Sequence, residues 1–294
     1  MKNFISKFTL FTLVLFALSC SEDEPGKETK PDEPEVNFKP SNISFNTAGM
    51  IRREAPKDSF QYADNNEVEN YYQFRLNGSI RQYHYLEESS GKILVYRNND
   101  TDPEYVINAP EGNIKKIDLT KYESDTGTPG MIKYVTEGNV IIITRYEYPS
   151  LEKPDYDIEV DGDIIKRTII TLNSAGNVSK IEVLTWDYTH KYLEKVITLR
   201  DLVYDSNKNP LKGLRKEYEF YEQGFYYNHE LIEYLSSNNV ISYSADYYDD
   251  VTQEVEGTNN YAISYQLDDK ARIISSKGST GQGEYADDIK TITY

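Results

Sequence analysis

Three stretches of the chain repeat one pattern and decide its fold: EGNIKKIDL (111–119), EGNVIIITR (137–145) and AGNVSKIEV (175–183). In each stretch a Gly-Asn pair is followed by Ile or Val and, three residues later, by Ile. Gly-Asn pairs supply the positive φ angles of tight hairpin turns, and strand-forming residues follow every pair. SNNVISYSA (237–245) is a looser fourth copy with Asn238-Asn239 at the turn. The repeat therefore predicts the turn and the returning strand of successive β-hairpins.

A spacing of three between apolar residues would also suit a helix, so length and composition must decide. The run NVIIITRYEY (139–148) is dense in β-branched and aromatic residues and stops at Pro149. A β-bulge after the turn would let both apolar residues of a copy face the interior. The interval from Gly112 to Gly138 differs from the interval between Gly138 and Gly176, which favours a meander over a solenoid.

Further hairpins are predicted in three segments. YDIEVDGDIIKRTIITL (156–172) is centred on Asp161-Gly162, and YAISYQLDDKARIISSK (261–277) alternates before its turn. ENYYQFRLNGSIRQYHYLEE (69–88) contains Asn77-Gly78, a two-residue turn that predicts Tyr72 opposite Tyr83 and Phe74 opposite Arg81. No stretch shows a helical period with caps, and residues 41–68 receive no assignment. We expect an all-β meander of antiparallel hairpins forming an extended or curved sheet, with an open barrel as a variant.

The N-terminus has the pattern of a lipoprotein signal. Residues 1–19 have Lys2 and Lys7 near their start, followed by a short apolar run. They end in small residues just before Cys20, the only cysteine in the sequence. We expect Cys20 to carry the lipid, which would exclude disulfides and a cysteine nucleophile. Residues 20–40 would then be a lipid-modified cysteine and a disordered acidic linker, and residues 41–294 the β domain. The Ser and acidic residues after Cys20, SEDE (21–24), resemble the run that marks surface export in Bacteroidetes lipoproteins. This resemblance implies a location in the outer membrane, with the domain exposed at the cell surface.

Charge and composition narrow the possible partners. The net charge of −17 disfavours binding to nucleic acid. The chain has 27 tyrosines, against 10 phenylalanines and one tryptophan. Tyrosine suits a strand with one wet face, because its ring packs while its hydroxyl reaches water.

LVYDSNKNPLKGL (202–214) contains a Tyr-Asp turn that leads to Asn-Pro, and HELIEYLSSNNVIS (229–242) contains a Ser-x-Asn-Asn-Val element. In these motifs the chain resembles a group of Bacteroidetes surface lipoproteins of unknown function. YAISYQLDDKARIISS (261–276) is similar to their closing strand pair, with Asp-Asp-Lys-Ala where Asp-x-x-Gly is commoner. The resemblance implies an extended antiparallel sheet, like the tyrosine-aspartate repeats of large bacterial surface proteins. It implies no activity and no catalytic residues.

One acidic motif suggests calcium. DYDIEVDGDII (155–165) places Asp157, Glu159 and Asp161 before Gly162, like the first half of a calcium-binding loop. The twelfth position of that loop would be Thr168, which cannot act as a bidentate ligand, and the flanks are typical of strands. A hairpin tip is therefore favoured over a weak calcium site, and no other cofactor is indicated.

An aromatic cluster is the strongest candidate for ligand binding. YEFYEQGFYYNHELIEY (218–234) and YSADYYDD (243–250) supply the candidate residues Tyr218, Tyr221, Phe225, Tyr226, Tyr227, Tyr247 and Tyr248. Exposed aromatic rings beside amides and acids are typical of contacts with sugars or proteins. Cross-strand packing on a half-wet sheet is the structural alternative.

Three functions remain, the third being a purely structural envelope protein with no small ligand. The favoured one is a non-enzymatic binding or scaffolding protein, attached to the membrane by its lipid and directed toward a polysaccharide or a surface protein. The alternative is a secreted polysaccharide hydrolase that uses paired carboxylates. The sequence has no Gly-x-Ser-x-Gly elbow, phosphate-binding loop or His-Glu-x-x-His motif.

Overall fold

The computed structural model is almost entirely β-sheet. It describes residues 39–46, 57–64, 67–74, 78–87, 90–98, 100–109, 116–119, 130–147, 163–187, 192–213, 228–280 and 288–294. The strands within these residues are β1 Asn42–Asn46, β2 Lys57–Tyr62, β3 Val68–Phe74, β4 Ile80–Glu87, β5 Lys92–Arg97, β6 Tyr105–Asn108, β7 Lys116–Leu119, β8 Gly130–Glu137, β9 Val140–Glu147, β10 Asp163–Leu172, β11 Val178–Asp187, β12 Tyr192–Lys208, β13 Asn238–Tyr248, β14 Val255–Leu267, β15 Ile273–Thr280 and β16 Asp288–Thr293. A helix, α1, spans Asn228–Leu235.

The strands form a meander that closes on itself. Each strand pairs antiparallel with its neighbours in sequence, which confirms the predicted all-β fold. β1 pairs with β2 and also with β16, where Ile43 lies opposite Ile292. The sheet is therefore a closed barrel. The sequence left closure undecided because no local pattern in β1 specifies a partner at the far end of the chain.

The repeated turns lie at one end of the barrel, which we call the turn end. It carries the connections 138–139, 173–177 and 268–272, because a meander returns to the same end with every second strand. Glu137 pairs with Val140 across Gly138-Asn139, so the predicted two-residue turn is confirmed there. The fourth copy differs: Asn238-Asn239 already belongs to β13, and α1 precedes it in place of a hairpin turn.

A bulge explains the spacing of three in the copy at 175–183. Val178 and Ile181 both have 0% of their surface exposed, and Ser179 and Lys180 between them face solvent. The pairing of β10 with β11 shifts between Thr171 and Leu172, which marks one extra residue in the returning strand. The predicted bulge is therefore confirmed in the copy at 175–183. It is wrong for the copy at 137–145, where β8 and β9 pair without a register shift and Val140 and Ile143 face opposite sides of the sheet. The same spacing of buried residues, with a register shift beside it, recurs in three other strands, at Val68 and Tyr71, Val240 and Tyr243, and Ile273 and Ser276.

The first hairpin has a different register from the predicted one. Tyr71, not Tyr72, lies opposite Tyr83, and Phe74 pairs with Ile80. The connection between β3 and β4 therefore contains an odd number of residues, which shifts every pair by one position. As a result Phe60, Tyr71 and Tyr83 share the core face and stack, with ring centroids 5.3 and 5.7 Å apart.

Two hairpin turns at the turn end have the same internal hydrogen bonds. The Asn173 side chain accepts from the N–H groups of Ala175 and Asn177, at 3.0 and 3.1 Å. The Asp268 side chain accepts likewise from Lys270 and Arg272, both at 2.9 Å. The fourth residue of each turn has positive φ, +74° at Gly176 and +60° at Ala271. An Asp-x-x-Gly motif thus needs its acid for the turn and its glycine for the left-handed backbone.

Substitutions at the fourth position of these two turns should change the free energy of unfolding in opposite directions. Replacing Ala271 with glycine should raise the free energy of unfolding by up to about 1 kcal/mol, because the left-handed backbone is strained for alanine. Replacing Gly176 with alanine should lower it by about 1–2 kcal/mol, since a Cβ would also lie 3.0 Å from the Ser237 Oγ. Urea denaturation of both variants measures this, and a loss of stability in Ala271→Gly would contradict it.

Tyrosine hydroxyls donate hydrogen bonds to backbone carbonyls where the bulged strands begin. The hydroxyls of Tyr204, Tyr265 and Tyr294 each donate to a carbonyl of the adjacent strand, those of Val178, Val240 and Ile273, at 2.6, 2.7 and 3.0 Å. A bulge interrupts the ladder of strand hydrogen bonds at this point, and the hydroxyl supplies a donor. Burial raises the pKa of Tyr204 and the pKa of Tyr294 to about 12.

These tyrosines should make the protein less stable at high pH. An unfolded chain releases the tyrosine proton with a pKa near 10, whereas the folded protein keeps it until about pH 12. Their contribution is therefore complete below pH 10 and lost as the pH rises from about 10 to 12. Denaturation between pH 8 and 12 should show a flatter decline for the double variant Tyr204→Phe/Tyr294→Phe than for wild type. Parallel declines would contradict the prediction.

Helix α1 corrects the expectation that the chain contains no helix. Its last carbonyls are satisfied from outside, since the Asn209 side chain donates to Glu233 and Ser236 and the Gly213 N–H donates to Tyr234. Tertiary hydrogen bonds, which a sequence period does not reveal, therefore hold this short helix. Within the described residues, no helix combines the length and apolar character needed to cross a bilayer.

Helix α1 contributes one residue of a buried ion pair at the turn end of the barrel. The Glu233 carboxylate contacts the Lys290 ammonium of β16, and both side chains are nearly inaccessible, at 5% and 6% exposed. Lys290 shares the inner face of β16 with Ile292. The contact joins α1 to a strand that lies three positions from β13 in the sheet.

Candidate functional site

The two described residues of the predicted aromatic cluster point in opposite directions. Tyr247 packs against the core, and its hydroxyl lies 3.1 Å from that of Tyr261. Tyr248 lies on the outer face, where Thr198 bonds its hydroxyl at 3.3 Å and the Lys195 ammonium lies 5.3 Å from its ring. Consecutive residues of a strand face opposite sides of the sheet. Tyr247 and Tyr248 therefore do not belong to one surface.

The other predicted site residues lie outside the described residues. They are the lipidation residue Cys20, the calcium candidates Asp157, Glu159 and Asp161, and the aromatic candidates Tyr218, Tyr221, Phe225, Tyr226 and Tyr227. Among the residues that the structure does describe, no group of three His, Cys, Asp or Glu side chains could hold a metal ion.

Fixed ion pairs surround Tyr248. Arg200 binds Asp246 through Nε at 2.6 Å and through Nη2 at 2.9 Å, and this contact lowers the pKa of the Asp246 carboxyl. Lys195 lies 2.9 Å from Glu182, whose hydrogen bond raises the pKa of the lysine. Because each charge already faces an opposite one, this outer face offers little free charge to a ligand.

A different surface, the outer face of β2–β5, carries two rows of uncharged polar and aromatic side chains. The first row crosses four strands through paired residues, and its members are Gln61, Asn70, His84 and Tyr96. The second row lies beside it and consists of Ser59, Tyr72 and Gln82. These seven side chains alternate along their strands with the core residues Phe60, Tyr71, Tyr83 and Val95. With a strand spacing of about 4.8 Å, the first row is about 14 Å long.

Hydrogen bonds orient the side chains of this face. Asn70 is central: its Nδ2 donates to Gln61 Oε1 at 3.1 Å, and its Oδ1 accepts from Gln82 Nε2 at 3.3 Å. His84 Nδ1 lies 2.9 Å from the same Asn70 oxygen. An amide oxygen only accepts, so Nδ1 carries the proton and Nε2 of the neutral ring is an acceptor. The Tyr72 hydroxyl donates to Gln61 Oε1 at 3.2 Å.

Some hydrogen-bonding groups of the two rows remain available to a ligand. Within the described part of the chain, Gln61 Nε2, His84 Nε2 and the Tyr96 hydroxyl make no hydrogen bond to protein. They provide a donor, an acceptor and a group that can do both. Exposed apolar residues border the rows, with Leu86 on one side and Ile80 on the other.

The alternation of polar and core residues along β3 and β4 indicates this face in the sequence. The predicted register of the hairpin was off by one residue and therefore did not bring these polar residues together. Asn70 and Tyr72 alternate with core residues in β3, as Gln82 and His84 do in β4. A two-residue turn placed Tyr72 opposite the core residue Tyr83, which mixed the two faces. With the observed pairs, Tyr72 lies beside Gln82, and the amides and rings fall on one side.

Comparison with solved structures places the barrel among known folds. It is similar to a porin-like protein from Bacteroides vulgatus ATCC 8482, with a TM-score of 0.55 and 11% identity, over 88% of this chain and 99% of that chain. A porin-like protein from Bacteroides uniformis ATCC 8492 aligns over 86% of this chain and 96% of its own, with 12% identity and a TM-score of 0.47.

No protein-family model matches the chain, and no curated protein matches it. At 11% identity the likeness to the Bacteroides vulgatus protein concerns the fold alone. It agrees with the β-sheet fold that the resemblance to Bacteroidetes lipoproteins implies.

Proposed function

We propose that this chain is a lipid-anchored protein of the bacterial cell surface that binds an extracellular partner through the outer face of its barrel. It has no catalytic role in this proposal. Cys20 carries the anchor, and residues 21–40 are the linker between the anchor and the barrel. The observation that carries the proposal is the exposure pattern of the sheet: a cluster of buried apolar side chains fills much of the barrel interior, and polar side chains alternate with them on the outer face.

This exposure pattern argues against a porin-type channel through the barrel. A porin-type barrel turns apolar side chains toward lipid and polar ones toward a water-filled lumen. In the described residues Ile170, Ile181 and Tyr83 are inaccessible on the inner side. The outer side of β14 instead presents Ser264 and Gln266 to solvent. Such a barrel is suited to water around it and to attachment by a lipid.

The outer face of β2–β5 favours binding over the alternative of a hydrolase. A glycoside hydrolase needs two carboxylates at a fixed separation around its substrate. The two rows on this face contain amides, aromatic rings, a serine and a histidine, and none of the seven residues is an acid. This chemistry can hold a partner but cannot protonate a leaving group with a carboxylic acid.

Replacing Cys20 with serine should abolish membrane attachment. The wild-type chain should be found in the membrane fraction, take up radiolabelled palmitate and react with antibody on intact cells. Cys20→Ser should lose all three properties because no thiol remains to accept the diacylglyceryl group, while the linker variant Thr29→Ala should keep them. Membrane retention and labelling of Cys20→Ser would overturn the proposed anchor, and antibody access only in lysed cells would overturn the surface location.

A further inference from the structure

We propose that the two rows on the outer face of β2–β5 form a binding site for a neutral polysaccharide. This inference rests on the proposed function in that the ligand lies outside the cell. It names a surface that the aromatic pattern of the sequence did not indicate. The residues expected to contact the ligand are Gln61, Tyr72, Gln82, His84 and Tyr96.

Charge favours a neutral ligand. The chain carries a net charge of −17, yet the seven side chains of the two rows include no carboxylate, lysine or arginine. An acidic polymer would be repelled by the chain and would find no cation in the rows. Lys57, at the start of β2, lies over the Phe74 ring at 5.1 Å. A basic partner would need the carboxylates that the rows lack.

The hydrogen-bonding groups match sugar hydroxyls, which both donate and accept. Gln61 Nε2 is a donor, His84 Nε2 is an acceptor and the Tyr96 hydroxyl can do either. Their orientation is set in advance, because Gln61 and His84 are both held by Asn70, at 3.1 and 2.9 Å. A preorganised array loses less side-chain entropy when a ligand binds.

The rows also provide rings for the apolar faces of sugars. Tyr72 and Tyr96 are half-buried in different rows, with two strands' spacing between them. The apolar face of a pyranose packs on an aromatic ring while its hydroxyls reach neighbouring polar groups. An extended row about 14 Å long suits a chain of sugars more than a single ring.

A protein partner fits this face less well. Protein interfaces place apolar side chains at the desolvated centre and polar groups at the rim. On this face the amides occupy the centre, and the exposed apolar residues Leu86 and Ile80 lie at the borders. The arrangement is therefore the reverse of an interface core.

Affinity electrophoresis of the full chain tests the inference. Native gels would contain glycogen, laminarin, yeast mannan or neutral arabinogalactan, with polygalacturonate and chondroitin sulfate as acidic polymers. We expect at least one neutral polymer to retard the wild-type protein and neither acidic polymer to do so. The double variant Gln61→Ala/Tyr96→Ala should bind at least tenfold more weakly. The control Gln266→Ala removes an exposed amide from the outer face of β14 and should bind like wild type.

Circular dichroism and thermal unfolding would establish that the double variant keeps its fold, and His84→Ala provides a milder change of the same site. Retardation by none of the neutral polymers would overturn the inference, as would equal retardation of wild type and a folded double variant. Binding to the acidic polymers alone would also overturn it. These failures would leave the proposed surface protein intact, because its test depends on Cys20 and on antibody access to intact cells.

Discussion

Replacing Glu233 with alanine is expected to lower the free energy of unfolding by about 3–5 kcal/mol. The carboxylate faces the Lys290 ammonium at the turn end, with both side chains at most 6% exposed. The substitution leaves the ammonium in a site where water cannot replace the lost charge. Urea denaturation followed by tyrosine fluorescence would measure the change.

A paired variant separates the ion pair from the packing of α1. Replacing Glu233 and Lys290 together by methionine removes both charges and keeps most of the volume, so most of the lost stability should return. Lys290→Ala alone should be as damaging as Glu233→Ala. A loss below about 1 kcal/mol in Glu233→Ala, the range of an exposed pair, would contradict the buried arrangement.

Replacing Ile181 with alanine should cost about 2–5 kcal/mol, because it leaves a cavity in the barrel interior. Ile181 is fully buried although only two residues separate it from the equally buried Val178. This follows from the bulge and would not occur in a regular strand, which would direct one of the two outward.

Lys180 is the matched control because it lies beside Ile181 on the exposed side of the bulge. Its side chain is 45% exposed and its ammonium lies 3.0 Å from Glu182, so Lys180→Ala should cost at most about 1 kcal/mol. Thermal and urea denaturation of both variants would measure the difference. Equal losses in the two variants would show that the strand has no bulge at this point.

The local sequence predicts the fold wherever a single turn sets the pairing of the two strands that flank it. Gly138-Asn139 predicted a two-residue hairpin, because such a turn depends on backbone geometry within a few residues. The spacing of three predicted the bulge between Val178 and Ile181, but the same spacing from Val140 to Ile143 has none. Closure by β1 and β16 was not predictable in this way. It depends on a pairing between the two ends of the sheet.

The helix and the candidate site were missed for two physical reasons. Asn209 holds α1 from a position 24 residues before the Glu233 carbonyl, so no periodic pattern announces the helix. The outer face of β2–β5 depends on register, and one residue of error exchanges the two faces of a strand. The aromatic pattern identified Tyr247 and Tyr248 but could not tell that the first lies inside and the second outside.

The pairing of β1 with β16 has a consequence for how the barrel could be re-engineered. The Ser41 N–H donates to the Thr293 carbonyl at 2.7 Å, so the two borders of the domain lie side by side. A short peptide could join them, and Gly138-Asn139 could be cut to make new chain ends without loss of any strand pair. Circular permutation would thus keep the ring intact, as is common for domains whose ends are adjacent.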